Sequence, residues 1–337
     1  MQMEASPTIV GAAAFGLALL LTPALRASAR RIGLLDLPNE RSSHAAVVPR
    51  AGGAAVVAAV LAALALAPVF WRGNAAWVLL GSAALGAVGL ADDRFRLSPA
   101  LRIAAQLLIA LLLVLSVGSL ERLPLPPPFD LALGPLGAPL AVLWIVAVVN
   151  FFNFLDGIDG LATLQAAITA VGIALASWEA GTILLAVAVA GAAAGFLPFN
   201  WSPASIFLGD VGSYFLGGVL AALPLTAAPE ARSSAVLLVA LSLWLFLADA
   251  SFTLARRAGR GERLWEAHRE HLYQALAARF GHPRVTLALA LGSVMLTAVG
   301  VAIWRTGRSD AAWMALALAL GLFAGEWAAA RRRVRAA

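Results

Sequence analysis

Eleven stretches of 16 to 21 residues, each almost free of charge, recur along the chain. They are Thr8–Leu25, Gly52–Phe70, Ala75–Ala91, Leu101–Gly118, Leu136–Leu155, Leu161–Trp178, Thr182–Phe199, Val211–Thr226, Ser234–Leu254, Val285–Trp304 and Ala311–Ala330. About 20 apolar residues in a helix span the hydrocarbon layer of a bilayer. Inside a bilayer, only helices or closed barrels satisfy every backbone polar group. A chain that is 61% apolar and 12% charged cannot hide these runs in one aqueous core. The expected fold is therefore all-α, a polytopic helical bundle with about ten or eleven transmembrane helices over residues 1–337 and no separate soluble domain. The first run does not read as a cleavable leader: Glu4 precedes it without a basic residue, and Arg26, Arg30 and Arg31 follow it.

The basic residues orient the bundle. All 24 are arginine, and there is no lysine and no cysteine. Lysine Schiff-base chemistry, disulfides, zinc–thiolate sites and cysteine nucleophiles are thereby excluded. Assigning loops to alternate sides puts 19 arginines on one face and 5 (Arg72, Arg122, Arg232, Arg305 and Arg308) on the other, which accounts for all 24. Basic loops stay cytoplasmic. The N-terminus is thus expected outside and the C-terminus in the cytoplasm, and the basic balance reports topology, not nucleic-acid binding. The inner loops, 26–51, 92–100, 153–160, 200–212 and 255–284, carry most of the polar chemistry.

Five places on that face stand out. Asp92 and Asp93 end the third run. Either a cation relieves their repulsion or they form a solvated helix end paired with Arg94 or Arg96. In Asn150-Phe-Phe-Asn-Phe-Leu-Asp-Gly-Ile-Asp-Gly160, the spacing of Asn153, Asp156 and Asp159 predicts one shared helical face, with Gly157 and Gly160 allowing close approach of a ligand. Asp210 opens the eighth run between Gly209 and Gly212, as a metal ligand near phosphate or as a helix N-cap. Asn200 and Phe207 lie in the same loop. His268 and His271 are three apart, with Arg269 and Glu270 between them. A phosphate site, a weak zinc pair and an amphipathic helix all fit that pattern. Arg41, His44 and Arg50 in the first loop suit an anion or simply set topology. Deeper acids are Asp249, expected to pair with Arg256 or Arg257, and Glu326.

Taken together and in order, these motifs resemble those of the polyprenyl-phosphate N-acetylhexosamine-1-phosphate transferases. The resemblance rests on Arg41-Ser-Ser-His44 with Pro49-Arg-Ala-Gly-Gly53, on Asp92-Asp93, on Asn153-Phe-Leu-Asp-Gly-Ile-Asp-Gly160, on Phe207-Leu-Gly-Asp-Val-Gly-Ser213 and on His268-Arg-Glu-His271. It implies a multi-pass enzyme of the bacterial inner membrane, in a family where dimers occur. Such an enzyme moves a HexNAc 1-phosphate from a UDP-N-acetylhexosamine to undecaprenyl phosphate, releases UMP and starts a surface polysaccharide such as O-antigen or teichoic acid. Mg2+, with Mn2+ as a substitute, is implied at Asp210 and Asn153. Asp92 or Asp93 would act on the lipid phosphate, and Phe207 would stack on uracil with Asn200, Asp156 and Asp159 around the nucleoside. His268, His271 and Arg269 would face the sugar diphosphate, and His44 and Arg50 would lie nearby. The third aspartate common in the family is Arg96 here. His268-Arg-Glu-His271 replaces the three-histidine run of the peptidoglycan branch, so a phospho-MurNAc-pentapeptide transferase is the less favoured reading. An ion-coupled transporter and a non-catalytic membrane partner are the readings from other classes. Transporter acids belong near mid-membrane, whereas these lie at helix ends.

Overall fold

In the computed structural model of the protein, residues 6–31, 34–36, 47–65, 67–263, 270–308 and 310–331 are described. They form thirteen α-helices and one two-residue strand pair. The helices are α1 (Pro7–Arg31), α2 (Gly53–Ala65), α3 (Asn74–Phe95), α4 (Pro99–Val117), α5 (Gly137–Phe154), α6 (Leu161–Ala176), α7 (Ala180–Asn200), α8 (Gly209–Ala222), α9 (Pro229–Ser242), α10 (Trp244–Gly259), α11 (Leu272–Phe280), α12 (His282–Thr306) and α13 (Asp310–Arg331). The strands are β1 (Leu35–Asp36) and β2 (Val48–Pro49), paired antiparallel between α1 and α2. The chain is an all-α, multi-pass membrane protein.

Each expected run contains a helix, but the helices differ in length. Seven helices are long and apolar enough to cross a bilayer, and α9 with α10 makes an eighth if counted as one span. Helices α2, with 13 residues, and α6, with 16, are shorter than a spanning helix. The 14-residue α8 is buried at every position and continues into a short 3-10 turn, Leu223–Thr226. A helix enclosed by other helices need not match bilayer thickness, because its ends meet protein and not lipid. The run Ser234–Leu254, expected as one span, is broken at Leu243, where α9 and α10 meet at 73°. The break is a polar one. Gln165 Nε2 donates to the Ser242 carbonyl at 2.9 Å, and Thr169 and Thr297 hydroxyls each lie 2.7 Å from Ser242 Oγ. The bond from Gln165 satisfies a Ser242 carbonyl that a continuous helix would have paired internally.

Helix α8 sits at the centre, against α2, α3 and α5. Small residues bring it there. A Cβ on Gly53 would fall 2.2 Å from Gly212 Cα, and one on Gly89 would fall 2.2 Å from the Asp210 carbonyl oxygen. Backbones that touch this closely are a membrane packing device. Here it draws the end of α3, which carries Asp92 and Asp93, against the start of α8, which carries Asp210. Helix α4 has its own punctuation: Ser98 accepts from Leu101 N–H, Pro99 is its first residue, and Gly118 ends it at positive φ.

Candidate active site

The described parts of the loops α1–α2, α3–α4, α5–α6, α7–α8 and α10–α12 meet at one end of the bundle, as the alternation of sides requires. Two of them are stitched by backbone bonds. Phe207 N–H donates to the Pro49 carbonyl at 2.9 Å, and Gly52 and Gly53 N–H groups donate to the carbonyls of Phe207 and Leu208 at 2.8 Å. This pairing carries Arg50 over Asp210.

Arg50 bridges two of the expected acids. Its Nε lies 2.8 Å from Asp93 Oδ1, a charge contact without hydrogen-bond alignment, and its terminal nitrogen donates to Asp210 Oδ1 at 2.8 Å. Asp93 Oδ2 also accepts from Val211 N–H at 3.3 Å. Asn153, in the last turn of α5, donates to Asp210 Oδ1 and Ser213 Oγ, both at 2.9 Å. Asp210 lies in the first turn of α8, whose cap is Leu208, so it is not an N-cap. Asp92 pairs with Arg102 at 2.6 Å and accepts from Leu97 N–H at 2.8 Å. Neither aspartate of the pair uses Arg94 or Arg96. Pairing with Arg94 or Arg96 is one of the two sequence readings; instead, one turn into α4, Arg102 faces back toward the bundle and takes Asp92. Arg102 also bonds the Tyr214 hydroxyl, and side-chain oxygens of Asp92 and Asp210 approach each other.

Three carboxylates therefore meet two guanidiniums, and a fourth acid stands beside them. Asp156 has no side-chain hydrogen bond or ion pair among the described residues. Burial, and then the Asp210 charge, push it well above the usual carboxylate range. Arg50 is affected oppositely: burial works against its charge, but Asp210 and Asp93 outweigh that and raise its pKa further. Among the described residues no three acids or histidines converge as a ready ligand set. The chemistry still fits a divalent cation: hard oxygen donors, like charges in contact and a surplus of negative charge. Asn153 donates its side-chain N–H to Asp210, so in this arrangement it orients that carboxylate.

The other expected residues divide. Asp156 and Asp159 do not share a helical face, because residues 155–160 form successive turns. Asp156 looks toward Asp210, whereas Asp159 accepts from Ala204 N–H at 3.2 Å and meets His282 Nδ1 at 3.5 Å. Burial would raise the Asp159 pKa, but bonds from His282, Ser202 and Ala204 N–H hold it below its usual value. Gly157 is not open to a ligand, since the Tyr273 hydroxyl fills that space. Asn200 is buried and spent on structure, accepting from Thr163 at 2.7 Å and donating to the Ile206 carbonyl at 3.2 Å. The partly buried Phe207 flanks Asp210 across two residues.

His271 precedes α11 in extended backbone, and the expected pairing with His268 falls outside the described residues. It is buried, with Nδ1 3.4 Å from Asp249 Oδ1. Asp249 is thus bound to His271 and not to Arg256 or Arg257. Those two arginines, with Arg260, pair with Glu270 at 2.9 to 3.0 Å. Arg41, His44, His268 and Arg269 lie outside the described residues. Sequence reasoning missed Arg102, Tyr214, Tyr273 and His282. A signal existed for two: Arg102 follows the Ser-Pro helix start after the aspartate pair, and His282 opens a helix on the acid-rich face.

Known proteins resemble this chain in sequence. Residues 75–228 match glycosyl transferase family 4. A decaprenyl-phosphate N-acetylglucosaminephosphotransferase of Mycobacterium tuberculosis is 31% identical over 90% of each chain. A probable undecaprenyl-phosphate N-acetylglucosaminyl 1-phosphate transferase of Bacillus subtilis is 29% identical over 77% of this chain and 74% of its own. The undecaprenyl-phosphate alpha-N-acetylglucosaminyl 1-phosphate transferase of Salmonella typhi is 29% identical over 82% and 78%. With helices that bring the motif carboxylates to one end of a membrane bundle, and relatives aligned along most of its length, the chain belongs to glycosyl transferase family 4, among its polyprenyl-phosphate HexNAc-1-phosphate transferases.

Proposed function

We propose that the protein transfers N-acetylhexosamine 1-phosphate from a UDP-N-acetylhexosamine to undecaprenyl phosphate, in the bacterial inner membrane, as the opening membrane step of a surface polysaccharide. The observation that carries this reading is the Asp92–Asp93–Asp210 cluster with Arg50 and Arg102, set at one end of lipid-exposed helices. Arg102 lies one turn into α4, whose Leu108, Leu111 and Leu115 are exposed. A lipid phosphate travelling in the bilayer can reach Asp92 and Arg102 from that side, while a nucleotide reaches Asp156 and Phe207 from the aqueous side. The arginine distribution supports this end being cytoplasmic, with the N-terminus outside. Dimers occur in the family that the chain resembles, so a homodimer is compatible with this reading.

In the reaction, an oxygen of the lipid phosphate attacks the β-phosphorus of the UDP-sugar. The bond from that phosphorus to the bridging oxygen breaks, and UMP leaves with the electron pair. A phosphate monoester is already anionic at neutral pH. No strong base is demanded, and Asp92 and Asp93, each paired with an arginine, act best as positioners of the nucleophile and its guanidinium partners. Asp210, held by Asn153, with Asp92 and Asp93 close by, would hold Mg2+. That ion supplies charge neutralisation to the diphosphate. Arg50 and Arg102 lower the repulsion between the two anionic reactants, and His271 with His268 and Arg269 would serve the sugar diphosphate.

The test is UMP release by the purified protein in detergent with undecaprenyl phosphate, Mg2+ and a panel of UDP-sugars. UDP-GlcNAc, the donor sugar of the relatives by name, is expected to react. Absence of UMP from every UDP-HexNAc, with a folded sample, would remove the reading.

A further inference from the structure

Beyond the carboxylate cluster, a chain of buried contacts runs from the broken span to the Asp156 turn. Asp249 lies in α10, six residues after the break at Leu243, and is only 4% exposed. A carboxylate there is costly unless fully engaged. Its oxygens accept from Leu272 N–H at 2.9 Å, Tyr273 N–H at 3.1 Å and the Thr253 hydroxyl at 3.1 Å, and meet His271 Nδ1 at 3.4 Å. Asp249 thus caps the start of α11 from another helix and fixes the His271 ring. One residue on, Tyr273 continues the chain. Its hydroxyl donates to the Phe154 carbonyl at 3.0 Å and accepts from Gly157 N–H. Phe154 ends α5, and Gly157 follows Asp156. A Cβ at Gly157 would stand 2.1 Å from the Tyr273 oxygen, so glycine is needed for the contact.

We infer that Asp249 and Tyr273 are positioning residues: together they strap α11 between the broken span and the Asp156–Gly157 turn, holding His271 and Asp156 in one fixed relation to the Asp210 cluster. The strap deepens the transferase reading and its functional arm rests on that reading. A mere fold brace would act on stability alone. A strap that sets the geometry of reacting groups acts on turnover, because small displacements of such groups cost rate steeply.

The test uses the full chain in detergent. Tyr273→Phe keeps the ring and removes both hydroxyl bonds. It is expected to keep the thermal midpoint near wild type and to lower kcat about tenfold, with a smaller change in KM for the UDP-sugar. Gly157→Ala forces the turn off the hydroxyl and should lower kcat by a similar factor. Combining it with Tyr273→Phe makes room for the methyl group, so the double variant should exceed Gly157→Ala alone. Hydrogen exchange of residues 154–160 is read in parallel and needs no activity; it should rise in Tyr273→Phe and in Asp249→Asn. Unchanged exchange in Tyr273→Phe would overturn the strap. Raised exchange with wild-type kcat, or additive losses in the double variant, would overturn its positioning role. If wild-type protein releases no UMP, the transferase reading fails separately and exchange alone judges the strap.

Discussion

Two arginines tie loops at opposite ends of the bundle, and their surroundings differ in a way that separates a reactive site from a fastening. At the motif-bearing end Arg50 joins Asp93 to Asp210 and Arg102 pairs with Asp92, so three carboxylates meet two guanidiniums and negative charge is left over. At the far end Arg232, 8% exposed, donates to the Ser119 carbonyl at 2.7 Å and pairs with Glu121. There one acid and one carbonyl match one guanidinium. The hairpin behind it is closed by backbone bonds between Leu123 and Leu131 and between Leu133 and Glu121, and Trp313 of α13 donates to the Pro127 carbonyl at 2.9 Å. The pair is balanced in charge, although Arg232 Nε and Glu121 Oε2 have no hydrogen-bond partner among the described residues. A cluster with surplus charge is incomplete until something positive arrives, which is the electrostatic condition a divalent cation and an anionic substrate together satisfy.

The sharpest way to break this contrast is to remove the excess at the reactive end. Asp210→Asn keeps shape and the Asn153 and Arg50 contacts in part but takes one negative charge away. UMP release should fall by about three orders of magnitude, the scale of several kcal/mol that a bound metal supplies to a transition state. The thermal midpoint without metal should hold or rise. Wild-type turnover in this variant would strip Asp210 of the metal-holding role.

A second comparison sets the arginines against each other. Arg50→Gln leaves the 1% exposed Asp93 side chain without its countercharge. The cost should be on the order of 2 kcal/mol in EDTA, below the buried-pair scale because the Arg50 side chain is 36% exposed. Added Mg2+ should recover much of it. Arg232→Ala should cost about 1–2 kcal/mol, since Glu121 is open enough to rehydrate. Mg2+ should restore none of that, and turnover of the folded protein should stay unchanged. Thermal melts with and without Mg2+ check both; equal Mg2+ rescue in the two variants would dissolve the distinction.

Much of this was legible from the chain because bilayer physics leaves few options. Apolar runs and arginine sides dictate helices, their alternation and the shared end of the motif loops. Legibility fell where tertiary contacts decide. Nothing local distinguishes a straight span from α9 and α10, because the break is satisfied by Gln165 and Thr297 from other helices. For Asp92 the sequence leaves a cation and a neighbouring arginine both open, and the pairing with Arg102 is set by the direction in which α4 re-enters. Spacing of three placed Asp156 and Asp159 on one face, which holds only for a helix, and two glycines in that segment allow turns instead. Asp249 reads as a partner of Arg256 or Arg257 until α11 is seen to need a cap.

Asp159 offers the mildest test, one that acts on stability at a point where the site meets the scaffold. Its pKa is held below its ordinary value of 3.8, so the folded state prefers the ionised form. The sign follows directly. The stabilisation is complete above the unfolded pKa and is lost as pH falls through the folded value. The contacts at stake join the 155–160 turns to the 202–204 loop and to the start of α12. The thermal midpoint should therefore decline as pH is lowered below about 4, and Asp159→Asn should flatten part of that slope while lowering the midpoint at neutral pH. The same variant should change KM for the nucleotide sugar more than kcat, because the Ala204 and Ser202 segment that it anchors leads into Phe207. Identical acid slopes in variant and wild type would show that the His282 and Ala204 contacts contribute nothing to the folded state, and Asp159 would then have to be explained by the ligand alone.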